Sequence, residues 1–157
     1  MRSEPENRIR LSSGTPWHLT VDVSRLGADL LCRVEGGDSH VGSVALAEWR
    51  DGRAHTRALT AEGHRETAIA SHAAHRLCAA TRRTVTCVAG IHFDDLSRAE
   101  IDEISAHAYE LAIRASTMLR DERLQGELGE ASGVYQRIMT HRGVFAEWIT
   151  PRFEATV

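Results

Sequence analysis

Apolar and polar positions alternate twice near the start of the chain. Trp17, Leu19, Val21 and Val23 are set against His18, Thr20 and Asp22, and then Leu30, Cys32 and Val34 against Leu31 and Arg33. A period of two is that of a half-buried strand, so the pattern predicts a hairpin around a turn containing Gly27. Gly36-Gly37-Asp38 ends the second strand, and a third runs from His40 to Trp49 with the small residues Gly42, Ser43, Ala45 and Ala47 along it. So little bulk invites close approach by a ligand or another backbone. After the Asp51-Gly52 turn, residues 54–60 read as a short edge strand. From Glu66 to Ala80 the spacing of Ile69, Ala73 and Leu77, with His72 and Arg76 on the other side, predicts an amphipathic helix. Thr84 to Ala89 is an almost wholly apolar, β-branched run and reads as a central strand covered on both faces.

Ser97-Arg98-Ala99-Glu100 is a capping box, and Ile101, Ile104, Ala108, Leu111, Ala115 and Met118 continue it as a core stripe. Residues 121–133 carry three glycines among acidic residues and read as a linker, with Val134 to Trp148 as a further helix ended by Pro151. These elements predict an α+β fold: a mixed or antiparallel sheet of four or five strands, two main helices on one face, and a C-terminal helical extension. The organisation expected is a flexible segment over 1–15, a core domain carrying the site over 16–120, and a linker with extension over 121–157.

Composition narrows the function. The chain has 157 residues, a formal charge of −3 and 42% hydrophobic residues, which suits one globular domain and does not point to nucleic acid. All 19 basic residues are arginine. No run approaches the roughly 20 apolar residues of a membrane span, and Met1 to Glu6 is polar and acidic, so a cytoplasmic protein away from membranes is expected. Cys32, Cys78 and Cys87 sit among apolar neighbours and read as reduced core residues. Strands of small residues and a modest core lead us to expect a homo-oligomer.

Histidine is in excess, with nine in the chain. Three of them, His40 after Gly36-Gly37, His64 in Gly63-His64-Arg65-Glu66 and His92 in Gly90-Ile91-His92-Phe93-Asp94, fall at element ends, where a scaffold presents functional side chains. Two readings stay open: each caps its own turn, or the three converge on a divalent metal such as Zn, Fe or Mn with Glu66 or Asp94 as carboxylate ligand or support. The same imidazoles could serve as general acids and bases, and Arg65 beside free helix amides suits an anionic group such as phosphate. His72 and His75 read as solvent-facing. There is no Gly-x-Ser-x-Gly elbow, P-loop or Cys-x-x-Cys motif.

Gly36-Gly37, the stretch His40 to Ala47, Gly63 to Glu66 and Ala89 to Asp94, followed by a helix from Ser97, resemble the small D subunit of UbiD-type hydroxyarylic acid decarboxylases such as gallate decarboxylase. The resemblance runs from about Trp17 to Arg120. It implies a chaperone or maturation factor for prenylated flavin mononucleotide, partnered by the decarboxylase large subunit, with motif residues at His40, Gly42, His64, Glu66, His92 and Asp94. Gly42, Ser43, Arg65 and Gly90 are then expected to bind the flavin, while side-chain chemistry rather than the resemblance makes His40, His64, His92, Glu66 and Asp94 the expected metal ligands. Arg65 stands where the family has lysine. An oxidative maturase of reduced prenylated flavin, a free-standing metal-dependent enzyme and a purely structural decarboxylase subunit are the variants to separate.

Overall fold

The computed structural model of the chain describes residues 8–127, 139–141 and 144–149. Its elements are β1 (Arg8–Ser12), β2 (Thr20–Leu26), β3 (Asp29–Gly37), β4 (Ser43–Arg50), β5 (Arg53–Thr60), α1 (Thr67–Thr81), β6 (Val85–His92), α2 (Arg98–Glu127), β7 (Met139–His141) and β8 (Val144–Ile149). The class is α+β, as expected. The sheet is mixed and has eight strands in the order β5-β4-β6-β3-β2-β1-β8-β7. Only β3 and β6 run parallel among its pairs.

Register explains the single core. Ile9 and Leu11 pair with Val23 and Val21, which pair with Cys32 and Val34. These in turn lie beside Cys87 and Ala89, and then Ala45 and Ser43. All of these residues are buried, so one face of the sheet is a continuous apolar layer. Against it α1 lays Ile69, Ala70, Ala73, Ala74, Leu77 and Cys78, and α2 lays Ile104, Ala108, Leu111, Ala112 and Ala115. The alanines let α1 approach a strand that is itself built of Ala45 and Ala47. All three cysteines are buried and free. Cys32 lies beside Cys87, and a hydrogen bond from that neighbour together with burial pushes its thiol well up.

Several expectations change. Both helices lie on one face, so β6 is central but covered on that face alone, and Thr86 and Val88 on its other face are only half-buried. Ile9 and Leu11 alternating with Arg8 and Arg10 form β1, inside the segment expected to be flexible. The helix expected over Val134 to Trp148 is not formed where the chain is described: 139–141 and 144–149 are strands, and β8 pairs antiparallel with β1. As a strand, β8 pairs with the edge that β1 would otherwise expose, which a helix does not do. Residues 134–138, like Pro151, lie outside the described residues. Residues 121–127, expected in a linker, continue α2 to Glu127, and the rest of that expected linker lies outside the described residues. Ile101, expected in the core stripe, is 44% exposed on the first turn of α2, beyond the layer it would pack on. His72 is half-buried and packs tilted against Tyr109 of α2, with ring centroids 4.7 Å apart, instead of facing solvent. No helix among the described residues is long and apolar enough to cross a membrane.

Candidate functional site

Topology brings the glycine-rich turns together. β3 and β4 flank β6 on opposite sides, so the connection between them, residues 38–42, must pass over the end of β6. It does so at Gly90: a Cβ there would come within 1.8 Å of the His40 carbonyl oxygen. Gly42 beside it leaves room for a carboxylate, since a Cβ at that position would lie 2.6 Å from Glu66 Oε2 and 3.0 Å from His40 Nε2. Each glycine is thus covered rather than open, Gly90 by the His40 backbone and Gly42 by Glu66 and His40.

Glu66 is the N-cap residue of α1 and is largely buried, with its side chain 11% exposed. Its Oε2 accepts the Arg65 amide at 2.9 Å, which aims the carboxylate inward. His40 Nε2 lies 3.0 Å from His64 Nδ1 and 3.4 Å from Glu66 Oε1, while His64 Nδ1 is 3.9 Å from Glu66 Oε2. The three donor atoms fall within 4.8 Å of one another. His40 Nδ1 donates to the Asp38 carbonyl at 3.0 Å, and because a carbonyl only accepts, the neutral ring presents a lone pair at Nε2. That lone pair points at His64 Nδ1 and the Glu66 carboxylate, and a backbone-anchored imidazole of this kind is the usual support of a metal-binding histidine.

His92 is adjacent but separate: its ring stands edge-on to His40 with centroids 6.3 Å apart, and its Nε2 lies 3.3 Å from Asp94 Oδ1. Asp94 is itself 87% exposed. Of the five residues expected to bind metal, the structure therefore brings His40, His64 and Glu66 into one cluster and sets His92 with Asp94 at its rim. Among the expected flavin residues, Gly42 and Gly90 form the floor of the cluster. Arg65 is exposed beside it, and Ser43 turns to the opposite face, buried, with its hydroxyl donating to Thr60 at 3.1 Å.

One feature of this region has no counterpart in the sequence motifs. Below the Gly42 and Gly90 floor the open face continues through Val44 beside Val88, then Leu46, Thr86 and Leu31 in one row, all half-buried. Across β3 the surface turns ionic: Asp22, 3% exposed, is held by Arg8 and lies 3.5 Å from Arg33. The alternation of β4 and β6 held this apolar strip in view, but reading β6 as covered on both faces hid it.

Residues 13–120, well over half of the chain, match the family described as the prenylated flavin chaperone LpdD-like domain. No curated protein matches the chain.

Proposed function

Since the chain belongs to the prenylated flavin chaperone LpdD-like family, we propose that it binds prenylated flavin mononucleotide on its open sheet face and hands it to a UbiD-type decarboxylase large subunit. The observation that carries this reading is the half-buried apolar strip of Val44, Val88, Leu46 and Leu31 on the sheet face away from the helices, ending where His40 packs over Gly90 and Glu66 over Gly42. A flat ring system needs such a floor, and a pocket for a cofactor is mostly apolar with a few convergent polar groups. Bound there, the cofactor supplies the reactive ring used for decarboxylation by the partner. The residues of this chain bind and orient it: Arg65, exposed at the start of α1, suits the phosphate through fixed positive charge, and His92 at the rim offers a ring nitrogen for a hydrogen bond or proton transfer. His40, His64 and Glu66 together suit a divalent metal, Zn, Fe or Mn, with the His92–Asp94 pair beside the cluster as further support.

The test is retention. Purified protein mixed anaerobically with reduced prenylated flavin is expected to carry it through gel filtration, whereas His40→Ala/His64→Ala loses part of it and Val44→Asp/Val88→Asp nearly all. Elution of free flavin from the unmodified protein at micromolar concentration overturns the reading. The same donor set favours a second reading, a free-standing metal-dependent enzyme acting on a small molecule. That reading requires stoichiometric metal by elemental analysis, and it fails if the protein neither contains metal nor takes it up.

A further inference from the structure

β5 ends the sheet on one side, and among the described residues no strand lies beyond it. Such an edge presents a row of unpaired backbone donors and acceptors, which natural sheets blunt with a proline, a bulge or a covering segment. β5 carries neither proline nor bulge: its ladder with β4 runs from Arg50 beside Arg53 to Ser43 beside Thr60 without a slipped position. The other side of the sheet is extended by β8 and β7.

The hairpin turn fixes which groups are free. Asp51 and Gly52 both have positive φ, 52° and 75°, which marks a two-residue type I′ turn. The flanking residues Arg50 and Arg53 are then a hydrogen-bonded pair, and every second residue of β5 repeats that pattern. Arg53, His55, Arg57 and Leu59 therefore turn their backbone groups towards β4, a phase that the Ala61 amide continues by donating to the Gly42 carbonyl at 2.8 Å. Those of Ala54, Thr56, Ala58 and Thr60 point outward. Side chains divide the same way: these four small residues lie on the helix face, where Thr56 Oγ1 is 3.2 Å from His75 Nδ1, and Arg53, His55, Arg57 and Leu59 lie on the open face. Leu59 is 82% exposed there.

A second copy of this chain supplies a strand that fits. A two-fold axis normal to the sheet pairs β5 with itself antiparallel and keeps both open faces on one side, and an axis through a residue sets outward groups against outward groups. Centred on His55, the pairing would oppose Arg53 to Arg57, and centred on Arg57 it would oppose that arginine to itself. Like charges directly opposite destabilise a sheet. Centred on Ala58, it would leave Arg53 to His55 overhanging. Centred on Thr56, Ala54 faces Ala58, Arg57 faces His55 and Arg53 faces Leu59. This register spans the whole strand with three hydrogen-bonded pairs, about six bonds, and lays the aliphatic stem of each Arg53 on the exposed Leu59 of the other copy.

We propose that the chain dimerises by pairing β5 with β5 in this register, so that two open faces become one continuous surface. The pairing gives the homo-oligomer expected from the sequence an interface, and it does not rest on the flavin reading.

The test uses the full chain, in sedimentation velocity with hydrogen exchange on the same samples. At tens of micromolar the unmodified protein is expected to sediment as a dimer and to become monomeric on dilution. The amides of Ala54, Thr56 and Ala58 are expected to exchange at least about tenfold faster in the dilute sample. Leu59→Arg sets cations face to face across the seam and is expected to weaken the dimer about tenfold, and adding Arg53→Glu to it restores the affinity to within about twofold. Ala54→Pro removes an outward amide while leaving the ladder with β4 intact, and is expected to abolish the dimer. Should that variant fail to fold, the Leu59 and Arg53 variants decide alone, since Leu59 is too exposed to disturb the monomer. The proposal is overturned if the protein stays monomeric at hundreds of micromolar, if the three amides exchange equally fast in both samples, or if the double variant associates no more tightly than Leu59→Arg.

Discussion

Gly42 and Gly90 stand on neighbouring strands and do different work. At Gly42 the atom that an added methyl would strike is a carboxylate oxygen at the end of a long side chain. Gly42→Ala is therefore expected to fold with near-normal stability but to push Glu66 out of the cluster, lowering divalent-metal affinity by about tenfold or more in a competition titration. At Gly90 the obstacle is the backbone of His40. Gly90→Ala is expected to cost about 1–3 kcal/mol in denaturant unfolding, as overpacking against main chain does. A different residue sets a pH limit. Burial between the helices, and then the nearby charges of Arg76 and His75, hold His72 below the ordinary histidine range. Its proton is bound less readily in the folded than in the unfolded chain, so stability falls as pH drops through the unfolded value of about 6.5 and levels off below the folded one. Between pH 7.5 and 5.5 the melting temperature of the wild-type protein is expected to fall more than that of His72→Gln. The glycines and histidines were visible in the sequence, but their partners were not, because His40 and Gly90 are 50 positions apart and meet only where a loop crosses a strand.

At the scale of elements, the helices were the most legible. The Glu100 amide donates to Ser97 Oγ at 3.3 Å while the Ser97 amide donates to Glu100 Oε2 at 2.8 Å, which is the reciprocal cap the sequence predicts, and the Ser97 hydroxyl donates to that same carboxylate oxygen at 2.6 Å. These bonds hold the Glu100 carboxyl below its usual range. Ser97→Ala is expected to cost about 1 kcal/mol, lowering the melting temperature by roughly 3 °C. Strands were harder to read because their fate depends on neighbours. The apolar positions of β1 are only Ile9 and Leu11, too few to establish a period, yet Arg8 also bonds Asp22 of β2 and so ties the edge in place. The segment Val144–Ile149 has apolar residues that suit either a helix face or a strand, and its pairing with β1 selects the strand.

At the scale of the whole molecule, the described residues form a sheet with one face packed by two helices and the other bearing the candidate flavin surface. If a metal occupies His40, His64 and Glu66, it binds the folded chain alone. Zinc at 100 times its dissociation constant is then expected to add about 2.7 kcal/mol of stability, a gain that chelator removes and that His64→Ala abolishes in thermal unfolding. By itself the sequence determined the α+β class, the core stripes of α1 and α2 apart from Ile101, and the capping box, because periodicity and local hydrogen bonding act over a few positions. Tertiary structure alone decided that His40, His64 and Glu66 share one cluster while His92 and Asp94 sit at its rim, that Ser43 turns inward, and that β6 leaves one face open. Those outcomes depend on strand order and on which face the helices cover, and strand order is set by contacts between residues far apart in the chain.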